Sequence, residues 1–525
     1  MREAALGGII DFHVHITRSS DDCGRILEAA SRCGISLICA SSLGDEGYIP
    51  DPTPDQFRSA NNYVLESMRR FPGRVIGFCY LNPNYPGESV EEMERCAAEG
   101  MRGVKLWIAC RASDPKLEPV VSRAIELDLP ILIHSFDKTT GNLPGESRPE
   151  DIADLAARFP RAKIVMAHLH GNGFRGVAEV AGLKNVSVDL SGSDPEVGLV
   201  EYALEELGAD RLIFGSDAPG RDFPSQLGKV LGAEMTDEER RKVLALNAAR
   251  LLKLDPGDLK LPTPPCPLSG AVDVNACLGE HLLCDLHPAA APELLSLMEG
   301  YGISEAWVSP IKAIFEVDPR RSNRRLAAEI SGYPALKLAA VMNPSLSSWR
   351  RAFEEALRIG AVALKLYPNY HRYSPLSPRA LELLREAGRA GIPVIIQLRV
   401  QDERTQNPLM SVRDVDLGEV IEAARRVAET KVIIGGIRWT ELVKAAPLIK
   451  KMPNLWVEIS ALERMNGLRE AIGMIGAEKL LFGTHAPFFY IASAALKLSM
   501  ADIDEGARRR IAIENPRRLR EDSHG

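Results

Sequence analysis

Residues 214–219 read Phe-Gly-Ser-Asp-Ala-Pro, and residues 482–487 read Phe-Gly-Thr-His-Ala-Pro, at an offset of 268. A second pair of related stretches, Gly-Val-Lys-Leu-Trp-Ile at 103–108 and Ala-Leu-Lys-Leu-Tyr-Pro at 363–368, has an offset of 260. Because the offset stays nearly constant between related motifs, the sequence indicates that a whole domain has been duplicated.

The length and composition of the chain narrow the class of protein. With 525 residues the chain exceeds the size at which one hydrophobic core keeps growing, so at least two domains are expected. The net charge is −7 and the basic residues are scattered, which argues against binding to nucleic acid. No apolar run approaches the roughly 20 residues that cross a bilayer, and the N-terminal residues do not resemble a signal peptide. Nine cysteines without a Cys-x-x-Cys pair predict reduced, buried thiols in a cytoplasmic protein.

Short apolar runs alternate with longer amphipathic stretches along the first copy. The predicted strands are Gly8–Phe12, Leu37–Ala40, Val75–Tyr80, Val104–Ile108, Ile131–His134, Ile164–His168, Val186–Leu190 and Leu212–Ser216. Stretches between them, such as 89–99 and 149–158, place apolar residues at helical spacing. This pattern predicts an α/β fold with a (β/α)8 barrel. A doubly wound open sheet explains the alternation equally well, but not the positions of the polar residues described below.

The second copy repeats the alternation. Its predicted strands are Leu282–Asp285, Ala306–Ser309, Lys337–Val341, Ala363–Tyr367, Val394–Gln397, Val432–Ile434, Trp456–Ile459 and Leu480–Gly483. The proline-rich stretch that begins at 255 predicts a stiff linker. We therefore expect two tandem (β/α)8 TIM barrels, at 1–254 and 282–525, joined by a linker at 255–281.

Histidines mark the strand ends of the first copy. The five histidines of residues 1–255 all fall at the ends of predicted strands: His13, His15, His134, His168 and His170. Asp217 closes the eighth predicted strand and Lys105 lies in the fourth. Because the C-terminal strand ends of a parallel barrel share one rim, these side chains are expected to converge there.

The spacing of His13 and His15 favours metal binding. Side chains two apart on a strand point to the same face, with Cα atoms roughly 6–7 Å apart, so both imidazoles can reach one cation. Imidazoles with a carboxylate suit Zn²⁺ and other first-row ions, and a site with an open position is catalytic. The alternative is that each histidine is an ordinary core or surface residue, and that Lys105 only extends its amine outward from the core edge.

These motifs, in their order along the chain, resemble the amidohydrolase superfamily. They are Ile-Asp-Phe-His-Val-His (10–15), Gly-Val-Lys-Leu (103–106), Ile-Leu-Ile-His (131–134), Ala-His-Leu-His-Gly (167–171) and Phe-Gly-Ser-Asp-Ala-Pro (214–219). The resemblance is to the amidohydrolase-related (amidohydrolase 2) branch, which contains metal-dependent hydrolases and aromatic-acid decarboxylases. It covers residues 8–253 well and 282–520 weakly.

The resemblance implies a divalent metal centre. The implied metal-binding residues are His13, His15, His134, Asp217 and Lys105. Asp217 would also act as general base, and His168 would be either a ligand or a catalytic acid/base. Lys105 stands where two-metal members carry a carbamylated lysine, but one ion is expected here, since many single-metal members also have Val-Lys-Leu at this position. The expected ion is Zn²⁺, with Mn²⁺ or Fe²⁺ as alternatives.

We expect the enzyme to act on a small molecule. The residues predicted to contact it are Trp107, Arg111, Lys138 and Arg148. The first hypothesis is a hydrolase that uses metal-activated water on a cyclic, amide or ester substrate. A non-oxidative decarboxylase of an aromatic or unsaturated acid and a non-catalytic scaffold or ligand sensor are the alternatives. The two copies are expected to form an intramolecular pseudo-dimer, and further oligomerisation is left open.

The second copy is expected to be degenerate. Matching Asp-Leu-His at 285–287 to the first strand leaves His287 and Lys365 as the retained residues. His15, His134, His168 and Asp217 would meet Ala289, Gln397, Gly436 and His485. One interpretation is a structural pseudo-domain. The other is an anion pocket ringed by Lys365, Arg399, Arg438 and His485.

Overall fold

The computed structural model describes residues 8–19, 22–255, 269–282 and 286–521. Within these residues the chain divides into two compact units, and each unit contains a parallel sheet of eight strands with helices between them. Each sheet orders its strands as they follow along the chain. The predicted α/β class with two tandem (β/α)8 barrels is therefore confirmed.

The first barrel is built from strands whose residues are almost all buried. Its strands are β1 Ile9–His15, β2 Ile35–Ser41, β3 Val75–Tyr80, β4 Gly103–Leu106, β5 Ile131–Ile133, β6 Ile164–Met166, β7 Val186–Asp189 and β8 Leu212–Ile213. Its helices are α1 Cys23–Arg32, α2 Pro54–Arg70, α3 Pro86–Ala98, α4 Glu118–Glu126, α5 Pro149–Arg158, α6 Leu169–Val180, α7 Leu199–Leu207, α8 Phe223–Gly232, α9 Asp237–Arg241 and α10 Asn247–Leu252. Strands buried on both faces explain why the sequence shows continuous apolar runs.

The second barrel repeats this order. Its strands are β9 Ala271–Leu278, β10 Ile303–Pro310, β11 Leu336–Met342, β12 Ala363–Leu366, β13 Val394–Gln397, β14 Val432–Gly435, β15 Leu455–Glu458 and β16 Leu480–Leu481. Its helices are α11 Ala291–Gly300, α12 Lys312–Phe315, α13 Arg320–Ile330, α14 Trp349–Arg358, α15 Pro378–Arg389, α16 Leu417–Arg426, α17 Trp439–Lys451, α18 Gly467–Ile475, α19 Ile491–Ser499, α20 Glu505–Arg509 and α21 Asn515–Glu521. None of the helices in the described ranges is long and apolar enough to span a membrane.

Backbone hydrogen bonds close each sheet into a barrel. In the first barrel Asp217 N, just after β8, donates to His13 O on β1 at 2.8 Å. In the second barrel His485 N, just after β16, donates to Asn275 O on β9 at 2.7 Å. The shared contact identifies Asn275 as the counterpart of His13, and His485 as the counterpart of Asp217.

The start of the second barrel differs from the prediction. Its first strand, β9, covers 271–278, inside the stretch predicted as linker at 255–281. The predicted strand Leu282–Asp285 is wrong in this role, and three of its residues, 283–285, lie outside the described part of the chain. Residues 256–268 of the predicted linker also lie outside it.

The alignment of ligand positions changes accordingly. His287 follows β9 in the loop before α11, so it is not the counterpart of His13. Cys277 on β9 takes the place of His15: Cys277 N and His15 N both donate to the alanine oxygen of the following Ala-Pro turn. Matching the motif Asp-Leu-His misled the sequence prediction, because both histidines of the true counterpart strand have been replaced.

Candidate metal centre

Four side chains converge where β1, β4 and β8 end in the first barrel. His13 Nε2 and His15 Nε2 lie 3.1 Å apart. The Lys105 Nζ atom lies 2.8 Å from His13 Nε2. Asp217 Oδ1 lies 3.4 Å from His15 Nε2 and 3.8 Å from His13 Nε2. The structure therefore brings together four of the residues that the sequence predicts as metal ligands.

A second pair of imidazoles follows β5 and β6. His134 Nδ1 lies 3.0 Å from His168 Nε2. The His168 ring centroid lies 5.1 Å from that of His13, so the two pairs are neighbours. His168 has a left-handed φ of 69°, which turns the chain from β6 into α6, and His170 on that helix is buried.

Two glycines allow this close packing. A Cβ added at Gly215 would lie 2.9 Å from His13 Cβ, and one at Gly192 would lie 2.6 Å from His168 Cβ. Gly192 also has a φ of +85°, a conformation that other residues adopt only with strain. A larger residue at either position would displace a site histidine.

Each of the four histidines has an outer hydrogen-bond partner. The pairs are His13 Nδ1 with Asp189 Oδ2 at 2.8 Å, His15 Nδ1 with Ser41 Oγ at 3.0 Å, His134 Nε2 with Glu146 Oε1 at 2.9 Å, and His168 Nδ1 with Ser191 Oγ at 2.9 Å. Each partner can accept the ring proton, which leaves the lone pair of a neutral imidazole on its inward nitrogen. Outer partners of this kind fix the orientation of metal-binding histidines.

The inward nitrogens lie so close together that a proton or a metal ion must lie between or beside them. The facing atoms of His13 and His15 are 3.1 Å apart, and those of His134 and His168 are 3.0 Å apart. Two lone pairs at such a distance repel unless a proton or a metal ion lies between or beside them. The ligand atoms of His13, His15 and Asp217 all lie within 4.8 Å of one another. This set of imidazoles with a carboxylate fits a divalent ion.

Burial controls the charges of these groups. It lowers the pKa of His15 to about 4 and that of Lys105 to about 8. Burial acts to raise the pKa of Asp217, but the hydrogen bond to His15 and the nearby imidazoles of His168 and His13 hold that pKa well below its usual value. Neutral imidazoles and an ionised carboxylate are the protonation states that metal binding requires.

Asp189, at the end of β7, organises two of the histidines, although the sequence prediction missed it. Its Oδ2 accepts from His13 Nδ1, and its Oδ1 accepts from the backbone nitrogens of His168 at 3.0 Å and Ser191 at 2.9 Å. Asp189 also lies within ligand distance of His13 and His168, but both of its oxygens are engaged, so it orients the rings. Its position at a strand end was a usable signal, hidden because the predicted strand ran on to Leu190.

Two aromatic rings, Tyr48 and the predicted residue Trp107, extend from His15. The ring of Tyr48, after β2, lies 5.5 Å from the His15 ring and 5.9 Å from the Trp107 ring. Tyr48 is 43 % exposed. The two rings form an aromatic wall beside His15, and Tyr48 was not predicted because it lies in a loop well beyond its strand.

The three predicted cationic substrate contacts have other surroundings. Lys138 Nζ donates to both oxygens of Glu146, at 2.7 and 2.8 Å. Arg111 is exposed and lines an open groove of about 450 Å³. Arg148 precedes α5, and its guanidinium lies 3.8 Å from Glu150. A role of these residues towards substrate stays a prediction.

The matching rim of the second barrel lacks the donor set. The counterparts of His13, His15, His134, His168 and Asp217 are Asn275, Cys277, Gln397, Gly436 and His485. The His485 ring stacks on Phe488 at 5.0 Å, and Cys277, Tyr367, Phe488 and Phe489 belong to one buried apolar cluster. Among the residues described for this barrel, no three candidate ligands converge.

The cations that would ring the anion pocket have partners within the second barrel. Arg399 Nε donates to Asp414 at 2.7 Å, and Arg438 lies 3.2 Å from Asp402. Lys365 Nζ donates to the Asn275 side chain at 2.6 Å, and His485 Nε2 donates to a backbone oxygen at 2.8 Å. These internal contacts favour the structural pseudo-domain over a site for an external anion, and the anion pocket stays untested.

Comparison with known proteins places the chain in a family. A family model described as Amidohydrolase matches residues 42–254 and again residues 298–519. Its first match begins after His13 and His15, so it is independent of that pair. A γ-resorcylate decarboxylase of Rhizobium sp. (strain MTP-10005) is 22 % identical over 253 residues, which cover 38 % of this chain and 76 % of the relative. One from Rhodococcus jostii (strain RHA1) is 23 % identical over 255 residues, with coverage of 38 % and 77 %.

Solved structures give the same kind of likeness. A 2,6-dihydroxybenzoate decarboxylase from Rhizobium is 20 % identical with a TM-score of 0.40, over 48 % of this chain and 100 % of that one. A dihydroxybenzoic acid decarboxylase from Polaromonas sp. JS666, solved with bound manganese, is 18 % identical with a TM-score of 0.39, over 47 % and 97 %. Because the family model covers most of the chain in two separate matches, the chain belongs to the amidohydrolase family, and the family's domain is present twice.

Proposed function

We propose that the first barrel is a metal-dependent hydrolase that cleaves a small cyclic, amide or ester substrate. The observation that carries the proposal is the pair of facing nitrogens of His13 and His15 beside the carboxylate of Asp217. Three protein ligands with an open position are typical of catalytic rather than structural metal sites. In this proposal the second barrel is a structural pseudo-domain.

One divalent ion would be held by His13, His15 and Asp217, with His134 as the predicted further ligand. Zn²⁺ is the expected ion, and Mn²⁺ or Fe²⁺ are alternatives, since imidazole and carboxylate ligands suit all three. When bound, the ion would polarise the scissile carbonyl and lower the pKa of a water at the site. A second ion at a carbamylated Lys105 is the alternative, which metal stoichiometry decides.

Asp217 is the proposed general base. Its side chain is 27 % exposed, whereas the side chains of His13 and His15 beside it are buried, so water reaches this rim on the Asp217 side. A base must lie within hydrogen-bond reach of the proton that it accepts. We propose that Asp217 accepts the proton of the attacking water and returns it to the leaving group. His168 would orient the substrate or assist this transfer.

The aromatic wall indicates the kind of substrate. Tyr48 and Trp107 offer ring surfaces next to His15, and such surfaces bind planar or apolar groups by stacking and burial. Of the four predicted substrate contacts, Trp107 is therefore the one that the structure supports best. The substrate would place its reacting carbon at the histidines and its apolar part against this wall.

A decarboxylase acting at the same rim is the second candidate. Two observations favour it: the curated relatives are γ-resorcylate decarboxylases, and the aromatic wall suits an aromatic acid. In this case His168, rather than Asp217, would be the group that manages proton transfer at the reacting carbon. Both candidates need the same histidines, so mutation of those histidines does not distinguish them.

A product assay distinguishes the two reactions. The full chain, loaded with Zn²⁺ or Mn²⁺, would be incubated with a panel of lactones, amides, esters and aromatic acids. Hydrolytic products lost in Asp217→Asn would support the hydrolase, whereas release of carbon dioxide from an aromatic acid would support the decarboxylase. If the chain binds the metal yet converts none of these classes, both proposals fail in favour of the ligand-sensor hypothesis.

A further inference from the structure

We infer that Glu146 is a positioning residue of the metal centre, which holds the His134 ring with Nδ1 turned towards His168. This inference rests on the proposed metal-dependent function. Glu146 lies in the loop between β5 and α5, twelve residues beyond His134, and no sequence motif singles it out. Its side chain is nonetheless 1 % exposed.

The contact between Glu146 and His134 determines which ring nitrogen carries the proton. Glu146 Oε1 lies 2.9 Å from His134 Nε2. A carboxylate can only accept, so Nε2 carries the proton and donates it, and the lone pair of the neutral ring lies on Nδ1. That Nδ1 atom lies 3.0 Å from His168 Nε2, on the side where the histidine nitrogens converge. Glu146 thus assigns His134 the role of a ligand through Nδ1.

The loop is built to hold this carboxylate in place. Lys138 Nζ donates to both oxygens of Glu146, and the backbone nitrogen of Leu143 donates to Oε2 at 2.8 Å. Asn142 ties the loop to its own start by donating to Phe136 O at 2.6 Å. With His134, Lys138 and Leu143 around it, neither oxygen of Glu146 is free to act as a ligand itself.

The second barrel shows what becomes of this loop when the histidine is absent. Gln397 replaces His134, and its side-chain nitrogen donates to Arg399 O at 2.8 Å. Two carboxylates of the following loop accept from arginines: Asp402 from Arg404 Nη2 at 2.6 Å and Asp414 from Arg399 Nε at 2.7 Å. A loop carboxylate aimed at the strand-end side chain therefore occurs in the barrel that keeps the histidine.

Metal affinity of the full chain tests the inference. Removing the outer partner of a metal-binding histidine weakens affinity about 10–100-fold. We expect Glu146→Ala to weaken Zn²⁺ binding by that factor in competition with a chelator. Glu146→Gln should weaken it less, because the amide oxygen can still accept from His134. Equal Zn²⁺ affinity in wild type and Glu146→Ala would overturn the inference while leaving the metal-dependent hydrolase standing.

Glu92 offers a matched control in the same barrel. It is a fully buried carboxylate that accepts from Arg95 at 2.7 Å and from Asn61 at 3.0 Å, away from the site histidines. Glu92→Ala should lower thermal stability without changing Zn²⁺ affinity. If Glu92→Ala weakened Zn²⁺ binding as much as Glu146→Ala, the effect would be general destabilisation and the inference would fail.

The tautomer of His134 gives a readout that needs no metal and no substrate. In metal-free full-length protein with ¹⁵N-labelled histidine, His134 should carry its proton on Nε2; Glu146→Gln should keep this tautomer, because its amide oxygen still accepts, whereas Glu146→Ala should redistribute the proton. A wild-type His134 protonated on Nδ1 would overturn the inference even if Glu146→Ala failed to fold. If the wild type bound none of Zn²⁺, Mn²⁺ and Fe²⁺ but showed the Nε2 tautomer, the proposed function would fail and the positioning of the His134 ring by Glu146 would survive.

Discussion

In both barrels a buried lysine donates hydrogen bonds to the backbone that follows the seventh strand. Lys229 Nζ donates to Gly192 O at 2.7 Å in the first barrel, and Lys497 Nζ donates to Ser460 O at 2.8 Å in the second. Each ammonium is almost completely buried. The two barrels therefore keep the same costly buried cation, because it satisfies backbone oxygens that no helix or strand satisfies.

A buried asparagine likewise makes the same contact in both barrels, to a backbone oxygen of the eighth strand. Asn247 Nδ2 donates to Leu212 O at 2.8 Å, and Asn515 Nδ2 donates to Leu480 O at 2.8 Å. Both side chains lie at the start of the helix that ends the barrel. These scaffold contacts have thus been kept in both copies, with the same donors and equivalent backbone acceptors.

The rims differ where the scaffolds agree. Asn275 stands in place of His13, and His485 stacks on an aromatic ring where Asp217 faces the histidines. Within one chain, the interactions that hold the fold are therefore separated from those proposed to carry the chemistry.

Removing a proposed metal ligand from the first barrel should lower the metal content, whereas the matched substitution in the second barrel should not. We expect His13→Ala to reduce the bound divalent metal from about one ion per chain to near zero, since a direct ligand matters more than its outer partner, whose loss costs 10–100-fold. Asn275→Ala, the matched substitution, should leave metal content unchanged. Elemental analysis of both purified proteins measures the effect, and equal loss in the two variants would contradict the division.

The proposed base should show the same asymmetry in catalysis. Asp217→Asn should lower kcat about 10²–10⁴-fold, the usual contribution of a general acid or base. His485→Asn in the second barrel should leave kcat within experimental error. Steady-state kinetics on whichever substrate class the product assay identifies would decide, and a similar fall in both variants would contradict a catalytically silent second rim.

The seventh strand of each barrel ends in a carboxylate, Asp189 in the first barrel and Glu458 in the second, and the two are expected to differ in role. Asp189 orients His13, whereas Glu458 receives hydrogen bonds from the backbone of Gly436 and Ser460. Asp189→Asn should therefore weaken metal binding about 10–100-fold. Glu458→Gln should change only stability, by about 1–3 kcal/mol, because backbone donors lose a charged acceptor. Chelator competition and thermal unfolding separate the two outcomes, and metal loss in Glu458→Gln would break the comparison.

A pH effect is expected from the buried Asp273 on β9. Burial raises its pKa from 3.8 to about 6 although Asn275 N and Thr484 N donate to it. The protonated form stabilises the folded barrel fully below pH 3.8, and this contribution is lost as pH rises through about 6. The free energy of unfolding of the wild type should therefore fall by about 1–3 kcal/mol between these two pH values, and Asp273→Asn should not show this fall. Denaturant unfolding at several pH values checks this, and parallel curves for both proteins would refute it.

Much of the fold could be predicted because barrel strands are buried on both faces. Continuous apolar runs separated by helical periodicity gave seven of the eight strands in the second barrel and all eight in the first, with α5 predicted at its observed bounds, 149–158. The exception, β9, was not predicted because Asn275 and Cys277 replace the two histidines that mark the first strand of the first barrel. The motif Asp-Leu-His at 285–287 resembles the end of β1, whereas the apolar run around Asp273 carries neither histidine.

The site could be predicted only in part, for a physical reason. His13, His15 and Asp217 stand at strand ends, where topology alone brings distant residues together. Glu146 and Tyr48 reach the same rim through loops, whose path depends on hydrogen bonds that leave no periodic pattern in the sequence. Residues that act on other residues, as Glu146 does on His134, are therefore found only in the structure.

The measurement that tests the central claim most directly is the anomalous scattering of the metal in crystals of the loaded full-length chain. The division between the barrels predicts one peak, among His13, His15 and Asp217, and no density of that kind near Asn275 and His485. A peak at the second rim, or an equal pair of peaks in the two barrels, would contradict it.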